Sequence, residues 1–285
     1  MEACEVVRLF VNKAIVPVVS KRPGNPSYGQ VKALRVLVYA RLKGLDNDTR
    51  LIEYLKKHRS TAKTLGLHNS VPDRTTIGRW WKRYLHLLEE TFLNITNMLL
   101  LVEPTKTVIV DSTPLEDLYD LEATWGYTGR GSFRGFKLHA AVNQLGLPLR
   151  AIVTPGNCND GPFLPKLVDD LEADYVLADA GYCSKRNFQA ARAIGAVAFI
   201  ADNPRRKGRA CKIESSMRLK KERYVIEQFN GHLKANLLNE CWIRPKGLVK
   251  KAAMVTAGLI SYNIEAIRAL LVGDKSLKTV SKYWV

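Results

Sequence analysis

The chain predicts an α/β protein: a mixed sheet with helices on its faces, preceded by an all-α region. Three observations predict it. Helical periodicity dominates the first hundred residues and stops at Glu103-Pro104. Beyond that point short β-branched apolar runs alternate with helical stretches in the order βββαβαβ, followed by a long helix, which is the pattern of a mixed sheet. Two of those runs, Thr107–Val110 and Tyr175–Ala178, lead directly into an aspartate, Asp111 and Asp179. The change of texture divides the chain into a helical region at 1–105 and a sheet-containing region at 106–285.

In the first region, Gln30–Leu42 carries apolar residues at Val31, Leu34, Val38 and Leu42. Thr49–His58 places Leu51, Ile52 and Leu55 on one stripe. Pro72, Asp73 and Thr75 or Thr76 offer helix-start chemistry, and a periodic pattern runs from there to about Leu101. In the second region Thr107–Val110, Gly135–Val142 and Leu149–Thr154 read as strands, with a turn at Asn143–Pro148. Pro162–Glu172 reads as a helix, Tyr175–Ala178 as a strand, Ser184–Ile194 as a helix and Ala196–Ala201 as a fifth strand. A basic loop then leads into a long helix over Met217–Leu238. The sheet is thus expected to be five-stranded.

Composition narrows the function classes. At 46% hydrophobic and 25% charged residues the chain is ordinarily globular, not disordered or fibrous. Its charge is not ordinary: 44 Lys and Arg against 27 Asp and Glu give +17. Such a surplus points to a polyanionic partner, nucleic acid or membrane surface. The longest uncharged runs, Thr91–Val102, Leu138–Leu149 and Ala252–Asn263, fall short of the roughly 20 residues a span needs. No amphipathic basic helix supports a membrane-surface role either. Glu2 and Glu5 stand where a signal peptide wants positive charge, so the N-terminus reads as mature sequence. Cys4, Cys158, Cys183, Cys211 and Cys241 are scattered without a CxxC pair, which argues against a zinc site or a disulfide framework and for a reducing cytosol.

If the strands ending at Asp111 and Asp179 are neighbours, the two carboxylates emerge together at one sheet edge, a donor set suited to hard divalent cations. The alternative is two turn-initiating aspartates. On the long helix, at about 100° per residue, Arg223 lies about 40° and Lys234 about 20° from Glu227, opposite Val225, Ile226, Phe229, Leu233 and Leu237. That stripe is either a metal ligand flanked by phosphate contacts or a solvated face with an i,i+4 ion pair. Glu214 and Glu222 are the competing third carboxylates: Glu214 lies in a loop, and Glu222 points about 140° from Glu227.

These residues resemble the DDE transposases of bacterial and archaeal insertion sequences of the fourth and fifth groups. The resemblance rests on VIVDST around Asp111, RGFKLHAAV around Lys137 and His139, LADAGY around Asp179, and R-x3-E-x6-K at Arg223, Glu227 and Lys234. The family's helix signature has a tyrosine three residues before the arginine; Lys220 stands there, and Tyr224 follows the arginine instead. The interval from Asp179 to Glu227 leaves no room for the large inserted β-domain of some relatives. The resemblance implies a ribonuclease H-like, mixed five-stranded sheet. It implies that Asp111, Asp179 and Glu227 are catalytic and bind two Mg²⁺ ions (Mn²⁺ substituting), with Arg223 and Lys234 on phosphates. The implied activity is metal-dependent cleavage at transposon ends followed by strand transfer into target DNA. The alternatives are a nuclease of the same fold without joining activity and a domesticated or inactive DNA-binding relative.

Further DNA contacts are expected from Arg205, Arg206 and Lys207 in the basic loop, whose alternative is a solvated charge run. Arg79, Lys82 and Arg83, beside Trp80 and Trp81, suit a recognition helix reading terminal repeats; core packing of at least one tryptophan is the competing role. Lys137 and His139 share one sheet face and are assigned to the DNA site, or else to hydrogen-bonded structure. Trp125 either stacks on a displaced base or packs as a loop residue. Asp160, before Gly161-Pro162, reads as a helix N-cap and is the rival of Asp179 as second carboxylate. His58, His68, His86 and His232 lack metal-ligand spacing. The expected partners are double-stranded DNA, as element ends and target, and further copies of the chain on DNA, as a homodimer or larger. The expected location is the prokaryotic cytoplasm, at the nucleoid, with no membrane.

Overall fold

A computed structural model describes residues 2–14, 29–45, 47–129, 131–201, 217–238 and 246–273, with side chains in the fifth segment from residue 222. Contacts divide the chain into two compact units. One comprises Met1–Leu99 with Leu233–Val285, the other Leu100–His232. This grouping departs from a single division near residue 105, because the chain returns to the helical unit after the sheet.

The helical unit contains α1 (Ala3–Ala14), α2 (Gln30–Leu42), α3 (Asp48–Lys57), α4 (Arg59–Thr64), α5 (Arg74–Arg83), α6 (Leu85–Leu100) and α10 (Leu248–Leu271). Asn47 and Asp73 start α3 and α5 by accepting the N–H groups of Arg50 at 2.8 Å and Thr76 at 2.6 Å. The periodic run read as one pattern to Leu101 is two helices, because Tyr84 leaves helical backbone at φ −111° and ψ 17°. α2 is not amphipathic as read: every residue from Ala33 to Leu42 except Arg35 is buried, since α1, α5 and α10 pack around it. Even Arg41 is buried; its guanidinium reaches the Leu45 carbonyl and lies over the Trp81 ring. α10 was not foreseen as a helix. It is long and apolar enough to cross a membrane, yet 78% of its most apolar stretch is buried inside the fold, as the core helix of this unit.

The second unit is built on one sheet: β1 (Thr107–Glu116), β2 (Thr124–Thr128), β3 (Gly131–Asn143), β4 (Pro148–Pro155), β5 (Tyr175–Ala178) and β6 (Val197–Ile200). β1 pairs antiparallel with β3 and parallel with β5; β3 pairs antiparallel with β2 and β4, and β5 parallel with β6. The order β4-β3-β1-β5-β6 is the mixed five-stranded sheet expected, and β2 adds a sixth strand on β3. β2 escaped the sequence reading because Thr124–Thr128 has no apolar alternation to the core; Trp125 and Tyr127 are exposed.

Val108, Val110, Ala141, Val176 and Ala178 form one face of the sheet and share a core with α7 (Leu164–Val168) and α8 (Lys185–Ala193). α7 is shorter than the helix read over Pro162–Glu172, because Asp170 takes a left-handed φ of 54° just after it. α9 (Met217–His232) packs against β1 and β5. By strand alternation Ile109 and Leu177, both buried, face the side opposite α7 and α8. From Leu233 to Leu238 the helix continues as a π-helical turn, so the 100° step stops at His232.

Candidate active site

The register of β1 on β5 decides the geometry of the two aspartates. Val110 and Ala178 are the last parallel pair, so Asp111 and Asp179 are the next residues on neighbouring strands. Alternation sends both side chains away from α7 and α8, to the face bearing Ile109 and Leu177. Asp111 is not a strand end, as the sequence suggested. β1 continues to Glu116 against β3, with Asp111 opposite Ala140, and only the pairing with β5 stops. Asp179 ends β5 and caps a 3-10 turn (Ala180–Tyr182) by accepting the Gly181 N–H at 2.9 Å.

The two carboxylates differ in environment. Burial pushes the Asp111 carboxyl up to about 6. The Ser112 N–H, 2.8 Å away, and the charge of Arg223 oppose the shift, while the charges of Asp179 and Asp160 add to it. An ionised carboxylate held there calls for a compensating cation. Tyr182, fully buried, has its hydroxyl pKa raised by burial and by the charges of Asp160, Asp111 and Asp179.

α9 carries the third candidate. Ile226 and Phe229 are buried, as the periodicity of α9 predicts, and Val225, read on the same face, is half-buried; Leu233 and Leu237 are buried too, but from the π-helical turn, while Glu227 is exposed and Arg223 half-buried. Arg223 is the α9 group whose charge reaches Asp111. Asn230, one turn beyond Glu227 and on the margin of the same stripe, is buried; its carbonyl oxygen has no partner among the described residues. A lone asparagine carries no motif, and nothing in the sequence marks it. Lys234 lies in the π-helical turn, past the point where the stripe was projected. Glu214, Arg205, Arg206 and Lys207 lie outside the described residues.

Lys137 and His139 are buried and do not lie on a surface open to a phosphate. Their partners are internal: Lys137 Nζ donates to Asp160 Oδ1 and the Cys158 carbonyl, each at 2.9 Å, and His139 Nε2 lies 2.9 Å from Thr154 Oγ1. Asp160 is not an N-cap: its backbone is helical, and its side chain caps nothing. In the helical unit, Arg79, Lys82 and Arg83 project into solvent from α5, while Trp80 and Trp81 are both buried and Trp81 Nε1 donates to Asp48 Oδ1 at 3.1 Å. Trp125 is exposed, not a packed loop residue.

Among the described residues no group of three acidic, histidine or cysteine side chains is gathered closely enough to hold a metal. Asp111 and Asp179 nonetheless fit a hard divalent cation, being paired half-buried carboxylates of which Asp111 is destabilised as an anion.

Residues 103–264 match the family described as Transposase DDE domain, and residues 4–83 match Transposase domain (DUF772). The chain belongs to the transposase DDE domain family: it is a DNA transposase, of a class that cleaves and joins DNA with divalent metal. It is 41% identical over 101 residues to a protein of Brucella ovis described as a transposase for insertion sequence element IS6501, covering 34% of this chain and 75% of that one. Among solved structures it is similar to piggyBac transposase in a synaptic complex with hairpin DNA, at 9% identity and a TM-score of 0.48, covering 99% of this chain and 75% of that one. That likeness is too loose to bear on the fold or the site.

Proposed function

We propose that Asp111, Asp179 and Glu227 are the catalytic carboxylates, holding two Mg²⁺ ions with Mn²⁺ able to substitute, and that the enzyme cuts at the ends of its element and joins them to target DNA. The observation that carries this reading is the adjacency of Asp111 and Asp179 on parallel strands, on one face of the sheet. Glu227 enters because it shares α9 with Arg223, whose charge already reaches Asp111. Divalent ions bound there would neutralise phosphate oxygens and favour the attacking and leaving oxygens. The chain's own part is positioning: β1 and β5 fix two carboxylates, and α9 brings a third carboxylate and a guanidinium on one mount.

Arg223 and Lys234 hold phosphates near the scissile bond, and Arg205, Arg206 and Lys207 extend that contact along the backbone. α5 reads the terminal repeats through Arg79, Lys82 and Arg83, with Trp80 and Trp81 fixing the helix from within. Lys137 and His139 serve the site from behind the carboxylates. The enzyme acts on DNA in the prokaryotic cytoplasm, as a homodimer or larger on paired ends.

The test is an assay with labelled end DNA, a target plasmid and Mg²⁺ or Mn²⁺. Joined product is the expected outcome. Cut product alone would make the chain a nuclease, and a mobility shift without cutting would make it a binding protein only.

A further inference from the structure

We propose that the outer edge of β2 is the surface through which two copies of the chain pair, strand against strand, about a two-fold axis at Gly126. This gives a place to the pairing of copies put forward above, and rests on that reading. β2 lies at one end of the sheet and, among the described residues, pairs with β3 alone. Arg134 turns its carbonyl to the β1 side, where it accepts the Asp117 N–H at 3.0 Å. Phe133 and Gly135 therefore turn their backbone groups to β2, where Gly126 and Thr124 are their partners. The N–H and C=O groups of Trp125 and Tyr127 are left pointing outward, and no backbone bond to another described residue takes them up. This edge also lacks the devices that keep such a strand single. β4, which pairs with β3 on the side away from β1 as β2 does, is bounded by Pro148 and Pro155 and carries Arg150. Thr124–Thr128 holds no charge and no proline, and Trp125 and Tyr127 are 65% and 76% exposed.

The sequence of β2, TWGYT, is nearly its own reverse. Antiparallel pairing centred on Gly126 therefore sets Trp125 of each copy against the partner's Tyr127, and Thr124 against the partner's Thr128. Each Trp125–Tyr127 pair is then a hydrogen-bonded one, so four backbone bonds close across the axis. All four rings lie on one face, because Trp125 is registered with Arg134 and Tyr127 with Ser132. On the other face a Cβ at Gly126 would strike the Gly156 carbonyl and the Phe133 ring, so the strand lies flat against them and its edge is fixed in place. Stacking on a DNA base is the other use of an exposed tryptophan, and the surroundings oppose it. No Lys or Arg stands between Lys106 and Arg130, whereas Glu116, Asp117, Asp120 and Glu122 do. The Arg134 guanidinium is engaged by the Leu118 and Asp120 carbonyls. In a chain of +17 this surface repels phosphate. Asp117, on the β1 side of Arg134, stays two strand spacings, about 10 Å, inside each edge, which screens it from its counterpart in the partner. A five-residue seam is small, so the contact is weak in solution and gains strength when two copies are held on DNA.

Sedimentation of the full-length protein over a concentration series, with and without duplex DNA, reads the association. Wild type is expected to dimerise reversibly. Tyr127→Pro removes one outward N–H per copy and none of the bonds to β3. It should weaken the dimer about tenfold or more, two hydrogen bonds being lost across the axis, with melting temperature and duplex affinity near wild type. The double variant Trp125→Ala with Tyr127→Ala should weaken it as well, and carries the test if Tyr127→Pro does not fold. Cysteines check the register. An oxidised mixture of Trp125→Cys and Tyr127→Cys proteins should yield covalent dimer, and either protein alone far less, since like positions lie about 7–8 Å apart across the seam, beyond disulfide reach. A dimer of wild-type strength in the folded variants would overturn the proposal and leave the homodimer to another surface. A wild type that stays monomeric at every concentration, with and without duplex, would remove the homodimer reading along with it. Loss of DNA affinity in the double variant with association unchanged would overturn the proposal and assign Trp125 to DNA.

Discussion

Arg223 on α9 reaches Asp111 on β1 by charge, while Glu227, one turn further along the same helix, stands in solvent. The guanidinium thus stabilises a half-buried carboxylate that loss of water destabilises. It does so from the element that also carries the third acidic candidate.

Asp111→Asn is expected to abolish cleavage and leave duplex binding within a few-fold, measured with labelled end DNA in Mg²⁺. It should also raise the melting temperature of the metal-free protein at pH 8, by roughly 2–4 °C for each kcal/mol of burial cost removed. A variant that cuts at the wild-type rate would remove Asp111 from the site.

The same residue predicts a pH dependence. A folded pKa of about 6, above the ordinary value near 3.8, means that the folded state holds this proton more tightly than the unfolded state. Its stabilising contribution is complete below about pH 4 and is lost as pH rises through 6. Divalent cations compete with that proton, so Mn²⁺ affinity should fall up to about tenfold per pH unit below 6 and level off above it. Calorimetric titration between pH 5 and 8 checks this; a flat profile would contradict the raised pKa.

Glu227→Gln is expected to eliminate cleavage, whereas Glu222→Gln keeps most of it. Glu222 projects toward the buried arc of α9, between Ile226 and Phe229, away from Arg223. Time courses of end cleavage decide it, and a dead Glu222→Gln enzyme would reassign the helix.

Replacing Arg79, Lys82 and Arg83 with alanine should weaken binding to element ends more than binding to random duplex. If each contacts one phosphate, the slope of log affinity against log salt should fall by about 2.7. Equal losses on both DNAs would remove α5 from sequence reading. Trp81→Ala is a different kind of change: it should cost about 3–5 kcal/mol of stability by emptying the core, seen in denaturant melts.

Much of this site was legible in the residue order. β-branched runs ending in Asp111 and Asp179 announced strands, since alternation and β-branching are local properties of a pleated chain. The buried face of α9 at Ile226 and Phe229 followed from its 3.6-residue period, and the start of α5 from Asp73, whose side chain satisfies a free N–H group of the first turn. Helix α10, and the burial of α2 on every side from Val36 to Leu42, were not legible, because burial on every side is set by neighbours distant in sequence. Asp160 is the clearest case. Its sequence context, Asp-Gly-Pro, is that of a helix cap, and the sequence by itself determined only that. Lys137, 23 residues earlier, competes for the same oxygen, and a charged partner at 2.9 Å outweighs a cap on a three-residue turn. That competition exists only once β3 and β4 have paired and carried the Asp160 loop beside Lys137. The sequence by itself determined the residue types, the periods and the order of the carboxylates. Only the tertiary structure decided which polar groups share a place, because hydrogen bonds and charge act through distance, and distance between remote residues is set by the packed chain.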